Sequence, residues 1–258
     1  ALDTSLKTVS AAAQDPALMP AGSERPYWRY FSQTQMSPSR LMRTDGTFAG
    51  TQILKSFGTG SAGGAIESLA PFGESLLFSA YQPGVGEELW ISDGSPAGTV
   101  MVKEIYTGPD GSRPRNITQV GSLAFFSAIV DGSQGGDSEL YVTDGTAAGT
   151  GLVLDIWAGP NGSNPRSFVD LGGVAIFIAA DILHGGEVWR SDGTPGGTYM
   201  LVDIAPGANS SSPAELIVAN GVAFFRANDG TSGAELWATD GTTAGTQRVR
   251  DIAAGATS

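Results

Sequence analysis

One stretch of the sequence decides the fold because the chain repeats it: Glu235-Leu236-Trp237-Ala238-Thr239-Asp240-Gly241-Thr242-Thr243-Ala244-Gly245-Thr246. Three upstream copies begin at Glu88, Glu139 and Glu187, and a degenerate copy begins at Arg40. Steps of 48, 51, 48 and 48 residues separate the aspartates of the five copies, which are Asp45, Asp93, Asp144, Asp192 and Asp240. A fixed period of this size is typical of propellers and solenoids.

Each unit of the repeat reads as four short strands. In the last unit, residues 214–219 and 222–227 are alternating or apolar runs separated by Asn220-Gly221, a pair that favours a two-residue hairpin. Residues 235–239 and 247–252 form a second pair of runs around the Asp-Gly turn. No stretch shows helical periodicity. The sequence therefore predicts an all-β fold, a five-bladed β-propeller with four antiparallel strands per blade and a period of about 48 residues.

The predicted domain boundaries follow from the repeat. Residues 16–258 form a single propeller, and residues 1–15, which match no part of the repeat, form an N-terminal extension. The expected blades cover approximately residues 16–57, 65–105, 114–156, 165–204 and 213–252. Two registers remain open. Either the first strand of each unit is innermost and the chain divides into five whole blades, or the strand after Asp-Gly-Thr is innermost and the C-terminal strand completes blade one.

Composition limits the partners. The chain has 14 basic and 26 acidic residues and a net charge of -12, which disfavours nucleic acid and anionic membrane surfaces. It has no cysteine, so disulfides and thiolate metal sites are excluded. No apolar run is long enough for a transmembrane helix, and we predict no membrane insertion. The abundance of small hydroxyl residues and glycine favours an extracellular β protein.

The motif Glu-Leu-Trp-x-x-Asp-Gly-Thr-x-x-Gly-Thr, followed by Val-x-Asp-Ile and a Gly-x-x-Ser-x-Pro link, resembles the repeat of the bacterial ELWxxDGT-repeat proteins. The resemblance covers about residues 40–256, with departures at Arg40 and Met42 in the first unit. It implies a protein that is secreted, periplasmic or exposed at the cell surface. It implies no particular reaction.

Most residues of the motif have a structural interpretation. The aspartate of Asp-Gly-Thr is predicted to accept backbone N–H groups across its own turn, rather than to bind a metal, because a calcium loop needs several oxygen ligands. The aromatic residue that recurs once per blade is predicted to pack in the core; these residues are Trp90, Tyr141, Trp189 and Trp237. The single histidine, His184, is predicted to be a solvated loop residue.

The loops and links are the predicted contact regions, because binding residues concentrate in loops on a rigid scaffold. Tyr106 and Trp157 are unrepeated aromatics at the start of two links. With the polar residues of the links and loops they make up the candidate ligand contacts: Tyr106, Trp157, Asp110, Asn161, Asn164, Asn209 and Asp229. The divergent first unit supplies candidate partner contacts, which are Trp28, Arg29 and Arg40. No cofactor and no metal site is predicted, although the loops have the carboxylate and carbonyl density to hold Ca²⁺.

Three functions are compatible with the sequence. The favoured one is a non-enzymatic binding or scaffold module for a protein partner in an extracellular or envelope assembly. The alternative is a multivalent carbohydrate-binding lectin that uses equivalent loops of several blades. The second alternative is a glycoside hydrolase, for which the candidate acids are Glu67, Asp170 and Glu215.

Overall fold

The structure is a computed structural model that describes residues 6–9, 29–33, 38–58, 66–130 and 137–252, with the backbone alone for the first two segments. These residues form twenty strands and no helix. The first ten are β1 Leu6–Val9, β2 Arg29–Gln33, β3 Ser39–Thr44, β4 Gln52–Phe57, β5 Ile66–Phe72, β6 Ser75–Gln82, β7 Gly86–Ser92, β8 Val100–Lys103, β9 Arg115–Val120 and β10 Leu123–Ile129. The others are β11 Ser138–Thr143, β12 Gly151–Leu154, β13 Arg166–Asp170, β14 Ala175–Asp181, β15 Gly185–Ser191, β16 Tyr199–Met200, β17 Ala214–Ala219, β18 Val222–Asn228, β19 Ala234–Thr239 and β20 Gln247–Arg250.

The strands form five four-stranded sheets, each made of four strands that are consecutive in the sequence. We call them sheets one to five, from β1–β4 to β17–β20. The paired strands are antiparallel. This arrangement agrees with the register in which each unit is a whole sheet. The chain divides into two compact units, residues 1–117 and 118–258, with the boundary inside β9.

Sheet one corrects one predicted boundary. Residues 1–15 were predicted to lie outside the repeat, but Leu6–Val9 pairs with β2 and supplies the first strand of sheet one. The segment Leu6-Lys7-Thr8-Val9 does alternate between apolar and polar residues, but it is only four residues long and lies well upstream of β2. A pairing partner this distant in sequence is not indicated by hairpin chemistry.

The apolar side chains of neighbouring sheets pack against each other within each unit. In residues 118–258, Ile176 and Val188 of sheet four, together with Ile204 just after it, pack against Phe225 and Ala223 of sheet five. In the same way, Phe125 and Leu140 of sheet three contact Phe177 and Trp189 of sheet four. In residues 1–117, Leu41 and Phe57 of sheet one contact Phe78 and Trp90 of sheet two. Because both faces of an inner sheet are covered, its strands carry adjacent apolar residues instead of a strict alternation.

The recurring aromatic position belongs to this packing, as predicted. Trp90, Tyr141 and Trp189 are buried, with 3%, 7% and 8% of their surface exposed, and Trp237 is half-buried. Phe57 meets Trp90 edge-on, with ring centroids 5.0 Å apart. Trp90, Trp189 and Trp237 pack in apolar clusters between neighbouring sheets, and Tyr141 packs against Phe126 of its own sheet. A sugar-stacking role is therefore not needed to explain the repetition.

Candidate binding surface

Each sheet has two ends. The hairpin end carries the turns between its first and second and its third and fourth strands. The link end carries the loop between its second and third strands and the link that leads to the next sheet. The repeated motif contributes to both ends.

At the hairpin end, the Asp-Gly-Thr turn is closed by its own side chains. Oδ1 of Asp192 accepts hydrogen bonds from the N–H and the hydroxyl of Thr194, at 2.9 and 2.7 Å. The Thr194 hydroxyl oxygen accepts the N–H of Gly197 at 3.1 Å. The four other copies repeat the two bonds to the aspartate. The hydrogen bonds from Thr194 lower the pKa of Asp192. The predicted turn role is confirmed, and these carboxylates are engaged in structure.

At the link end, the glutamate of Glu-Leu-Trp binds the link that follows it. The buried carboxylate of Glu139 accepts the N–H groups of Ile156, Trp157 and Ser163 at 2.9, 3.3 and 2.8 Å and the Ser163 hydroxyl at 2.6 Å. Glu88 binds the link around Ser112, and Glu187 binds the link around Ser211, in the same way. Burial raises the pKa of Glu139 against the effect of these hydrogen bonds.

This glutamate–serine pair was not identified from the sequence, although the signal is present. Glutamate and serine are both parts of the repeat, and 24 residues separate them in each case. In the first copy Arg40 replaces the glutamate, and the residue 24 positions later is Gly64, so both members are missing together. The acid and the hydroxyl keep a constant spacing, and the one copy of the repeat that lacks the acid also lacks the hydroxyl. This pattern indicates a direct contact between them.

The loops and links lie side by side at this end, within each compact unit. Three backbone N–H groups donate to backbone carbonyl oxygens across this surface. Arg113 donates to Glu87 at 2.9 Å, Asn164 donates to Ser138 at 3.0 Å, and Asn228 donates to Ser211 at 2.9 Å. A Cβ on Gly185 would lie 2.7 Å from the Asn209 backbone, so the loop and the link are in close contact there. The backbone amides at this surface are held by the sheets, which makes the links rigid supports for exposed side chains.

The predicted ligand contacts lie at this end. Tyr106 and Trp157 are half-buried. Their backbone N–H groups donate to the carboxylates of Glu88 and Glu139, respectively. The polar residues of the links are exposed, namely Asp110, Asn161, Asn164 and Asn209. Asp229 lies in the loop between β18 and β19, where its Oδ2 is 3.2 Å from Arg248. The structure thus places these residues on the loops and links, while their contact with a ligand stays a prediction.

The predicted partner contacts belong to sheet one. Trp28 lies outside the described residues, and Arg29 begins β2, where it pairs with Thr44. Arg40 is half-buried in β3, and its Nε is a buried atom with no hydrogen-bond partner in the described chain.

The three candidate catalytic acids have different surroundings. Glu67 lies 3.4 Å from Arg115, whose guanidinium also binds Glu87. Asp170 accepts the N–H groups of Gly121 and Gly173 at 3.0 and 2.7 Å. Glu215 is exposed, in a bulge of β17 with a φ of 59°. Asp170 therefore closes its own hairpin turn and binds the hairpin of sheet three. Glu67 belongs to an ion cluster with arginine, so neither acid has the surroundings of a general acid.

One group of carboxylates has the spacing of a divalent cation site. Oxygen atoms of Asp137, Glu139 and Asp155 lie within 4.8 Å of one another, and oxygen ligands are those that Ca²⁺ and Mg²⁺ prefer. The group occurs in sheet three because Asp137 takes the place of the glycines of sheets two, four and five, which are Gly86, Gly185 and Gly233. Glu139 already accepts four hydrogen bonds, so a cation would have to be held mainly by the two aspartates.

His184 is held in its loop by Asp181. Oδ1 of Asp181 accepts the N–H groups of Leu183 and His184 at 2.8 Å, and the imidazole Nδ1 is 2.9 Å from Oδ2. The hydrogen bond and the charge of Asp181 raise the pKa of His184. The residue is thus fixed by a specific partner, which the prediction of a solvated loop residue did not include.

Comparisons with known proteins identify the fold. No family model matches the chain, and no curated protein matches it. The chain is similar to the β-propeller domain of the trilobed protease from Pyrococcus furiosus, with a TM-score of 0.51, 11% identity, and coverage of 86% of this chain and 65% of that one. It is also similar to a puromycin hydrolase mutant in complex with PGG, with a TM-score of 0.53, 17% identity, and coverage of 95% and 38%.

TolB from Acinetobacter baumannii aligns with a TM-score of 0.45 and 16% identity, over 83% of this chain and 49% of that one. The chain thus spans about half or less of the first two solved structures in these comparisons. At this level of identity the likeness to the Pyrococcus domain shows a β-propeller fold. A search of the described residues for a helix able to cross a membrane finds none.

Proposed function

We propose that the chain is a five-bladed β-propeller of the ELWxxDGT-repeat type that is secreted or exposed at the cell surface. We further propose that it is a non-catalytic module that binds a protein partner through its link end. The observation that carries the proposal is the binding of the links by buried glutamates. Glu139 fixes its link through three backbone N–H groups. The side chains of Trp157 and Asn161 are therefore displayed on a rigid support.

Pre-organised loops bind with less loss of conformational entropy, and half-buried aromatic residues are frequent anchors in protein interfaces. The repeated carboxylates do not favour catalysis. The aspartates of the turns and the third-strand glutamates that bind the links accept several hydrogen bonds each, and these bonds stabilise the fold.

The experiment is site-specific photocrosslinking on the extracellular and envelope fractions of the source organism. A photoreactive phenylalanine analogue replaces Trp157 in one protein and Phe48, which is 98% exposed at the hairpin end, in a control protein. We expect a protein adduct from position 157 and not from position 48. The identified partner should then bind the Trp157→Ala variant about tenfold more weakly, the effect of losing one aromatic anchor. Equal adducts from both positions would contradict the proposal.

The second candidate function is a lectin, favoured by the position of Trp157 beside the Asp137, Glu139 and Asp155 group, where the backbone N–H of Trp157 donates to Glu139. A glycan array with and without Ca²⁺ tests it. Calcium-dependent binding to one sugar class, lost in the Trp157→Ala and Asp155→Asn variants, would replace the protein-binding proposal. Absence of glycan binding in both conditions would rule out the lectin.

A further inference from the structure

The loop between β14 and β15 presents two adjacent aliphatic side chains to solvent. Asp181 pairs with Gly185, so the loop between them has three residues, Ile182, Leu183 and His184. Ile182 and Leu183 are 67% and 66% exposed. Gly, Pro, Asn, Asp and Ser predominate in turns, so a turn does not by itself require two aliphatic residues. We call this pair, Ile182 and Leu183, the aliphatic tip.

The corresponding loop of sheet two shows that the turn forms without such residues. There Gln82 pairs with Gly86, and the three residues between them are Pro83, Gly84 and Val85. The two exposed positions thus carry proline and glycine in sheet two but isoleucine and leucine in sheet four. Apolar side chains that stay in water gain little from folding, so contact with another molecule explains the aliphatic pair better than the fold does.

Asp181 holds the aliphatic tip in place. Its Oδ1 accepts the N–H groups of Leu183 and His184 at 2.8 Å, and its Oδ2 lies 2.9 Å from the imidazole Nδ1. The base of the loop packs against the link to sheet five, because a Cβ on Gly185 would lie 2.7 Å from the backbone of Asn209. A loop that is fixed in this way loses little conformational entropy when it binds a partner.

The sheets on both sides of the aliphatic tip belong to the same compact unit. Sheet four packs on sheet three through Phe177 and Phe125, and on sheet five through Ile176 and Phe225. All four residues lie within residues 118–258. The apolar faces of sheet four are therefore covered by its own neighbours, and the aliphatic tip projects beyond them.

The electrostatic potential at the aliphatic tip is negative. The hydrogen bond to Asp181, together with the charges of Asp181, Asp203 and Glu187, raises the pKa of His184. Three carboxylates thus act on the one imidazole next to the tip. The compact unit of residues 118–258 carries 15 acidic and 5 basic side chains. An apolar surface in a negative potential is complementary to a partner surface that combines apolar and cationic groups.

A lipid surface fits the aliphatic tip less well than a protein does. The same carboxylates repel anionic headgroups. Segments that bind at membrane interfaces combine apolar residues with Lys or Arg and with aromatic anchors such as Trp and Tyr. The loop of residues 182–184 contains none of these four residue types. The chemistry of the loop therefore favours a protein partner.

We propose that the aliphatic tip inserts into an apolar pocket of a protein partner, and that lysine or arginine side chains of the partner border this pocket. Ile182 and Leu183 are then the anchors of the contact, and the carboxylates around His184 attract the cationic border. The loop lies at the link end, so this proposal rests on the link-end function and adds the chemistry of the partner.

Photocrosslinking at three positions tests the two proposals separately. The photoreactive phenylalanine analogue replaces Leu183, Trp157 or Leu152 in the complete 258-residue chain, and each protein is exposed to the extracellular and envelope fractions. Leu152 is the control, because it is 42% exposed but lies on the outermost strand of sheet three. We expect the same partner at positions 183 and 157 and no adduct at position 152. The partner peptide attached at position 183 should contain apolar residues next to Lys or Arg.

Fluorescence anisotropy with the purified partner then measures the contribution of the aliphatic tip. The Ile182→Pro/Leu183→Gly variant, which carries the residues of the sheet two loop, should bind at least about tenfold more weakly. Leu152→Ser should bind like the wild type. Added salt should weaken binding of the wild type, because it screens the attraction between opposite charges. If circular dichroism shows that the double variant does not fold, Leu183→Ser, which keeps the N–H bonded to Asp181, decides the result.

The outcomes separate this proposal from the link-end function. An adduct at position 157 without one at position 183 would overturn the aliphatic contact and leave the link-end function standing. An adduct at position 183 alone would support the aliphatic contact and contradict the role of Trp157. No adduct at either position would contradict both.

Three further results would overturn the proposed partner. One is equal affinity of the wild type and the tip variants for the purified partner. Another is sedimentation of the wild type, but not of the Ile182→Pro/Leu183→Gly variant, with phosphatidylcholine vesicles, because the tip would then bind lipid. The third is a dimer of the wild type in light scattering that the same variant abolishes, because the occupant would then be a second copy of the chain.

Discussion

The hydroxyl of Ser163 donates a hydrogen bond of 2.6 Å to Oε2 of Glu139, a residue 24 positions earlier in the chain. Ser112 and Ser211 make the same contact with Glu88 and Glu187. Each pair connects the third strand of one sheet to the link that leads to the next sheet. Both members are completely buried, so the pair holds the link against the sheet without contact with solvent.

Ser163→Ala is expected to lower the free energy of unfolding. The substitution removes a charge-assisted hydrogen bond to a buried carboxylate, which costs about 1–3 kcal/mol. Urea unfolding monitored by circular dichroism measures the change. Thr243→Ala is the control, because Thr243 is exposed in the last Asp-Gly-Thr turn and only its backbone carbonyl makes a hydrogen bond there. An equal loss of stability in the two variants would contradict the role of Ser163.

The strand pattern of the repeat could be predicted from the sequence because its signals are local. Asn220-Gly221 and the Asp-Gly pairs define hairpins, and strands β17 to β19 lie within one residue of their predicted positions. β20 ends at Arg250, two residues earlier than predicted, because the N–H of Ile252 donates to Glu235 instead of a strand. This bond depends on a carboxylate 17 residues away, which hairpin chemistry does not reveal.

The candidate site was only partly predictable for the same reason. Composition placed Asn161 and Asn209 in links, where they are exposed, since Gly, Asn and Ser favour turns. The acid group of Asp137, Glu139 and Asp155 joins a loop, a strand and the exit of another strand. Contacts between segments require the register, and periodicity alone does not supply it.

Gly197→Ala is expected to destabilise the protein far more than Gly196→Ala. A Cβ on Gly197 would lie 2.1 Å from Oδ1 of Asp192, the carboxylate that closes the turn, whereas a Cβ on Gly196 meets nothing within 4 Å. The first variant must displace the carboxylate and lose its bonds to Thr194, at a cost of about 1–3 kcal/mol.

The Gly196→Ala variant should be nearly neutral or slightly stabilised, because alanine lowers the entropy of the unfolded chain. Thermal melts of both variants at neutral pH measure the difference. Comparable melting temperatures for the two neighbours would show that the contact with Asp192 does not constrain the turn. Because the same contact recurs at Gly50, Gly98, Gly149 and Gly245, the result applies to every copy of the motif.

Asp229 is expected to titrate far below an ordinary aspartate. The N–H groups of Ser232 and Thr231 lower its pKa to about 2. Since the folded value lies below the unfolded one, the stabilisation is present above about pH 4 and is lost as the pH falls toward 2. The carboxyl ¹³C shift of Asp229 measures the midpoint. Ser232→Pro, which removes the main donor, should raise that midpoint, whereas Ser232→Ala, which keeps the N–H, should change it little. Equal midpoints in the two variants would contradict this assignment.

His184 is expected to titrate above the ordinary histidine value of 6.5, because the hydrogen bond and charge of Asp181 raise its pKa, with Asp203 and Glu187 adding negative charge nearby. The chain has one histidine, so a single imidazole proton resonance reports the midpoint without assignment. The folded value exceeds the unfolded one, so the stabilisation is complete below pH 6.5 and is lost as the pH rises through the folded midpoint. Asp181→Asn should return the midpoint of His184 toward 6.5, because the negative charge is removed. The amide oxygen of asparagine can still accept the N–H groups of Leu183 and His184, so the loop should keep part of its hydrogen bonding. A wild-type midpoint at or below 6.5 would show that the imidazole does not pair with Asp181 in solution.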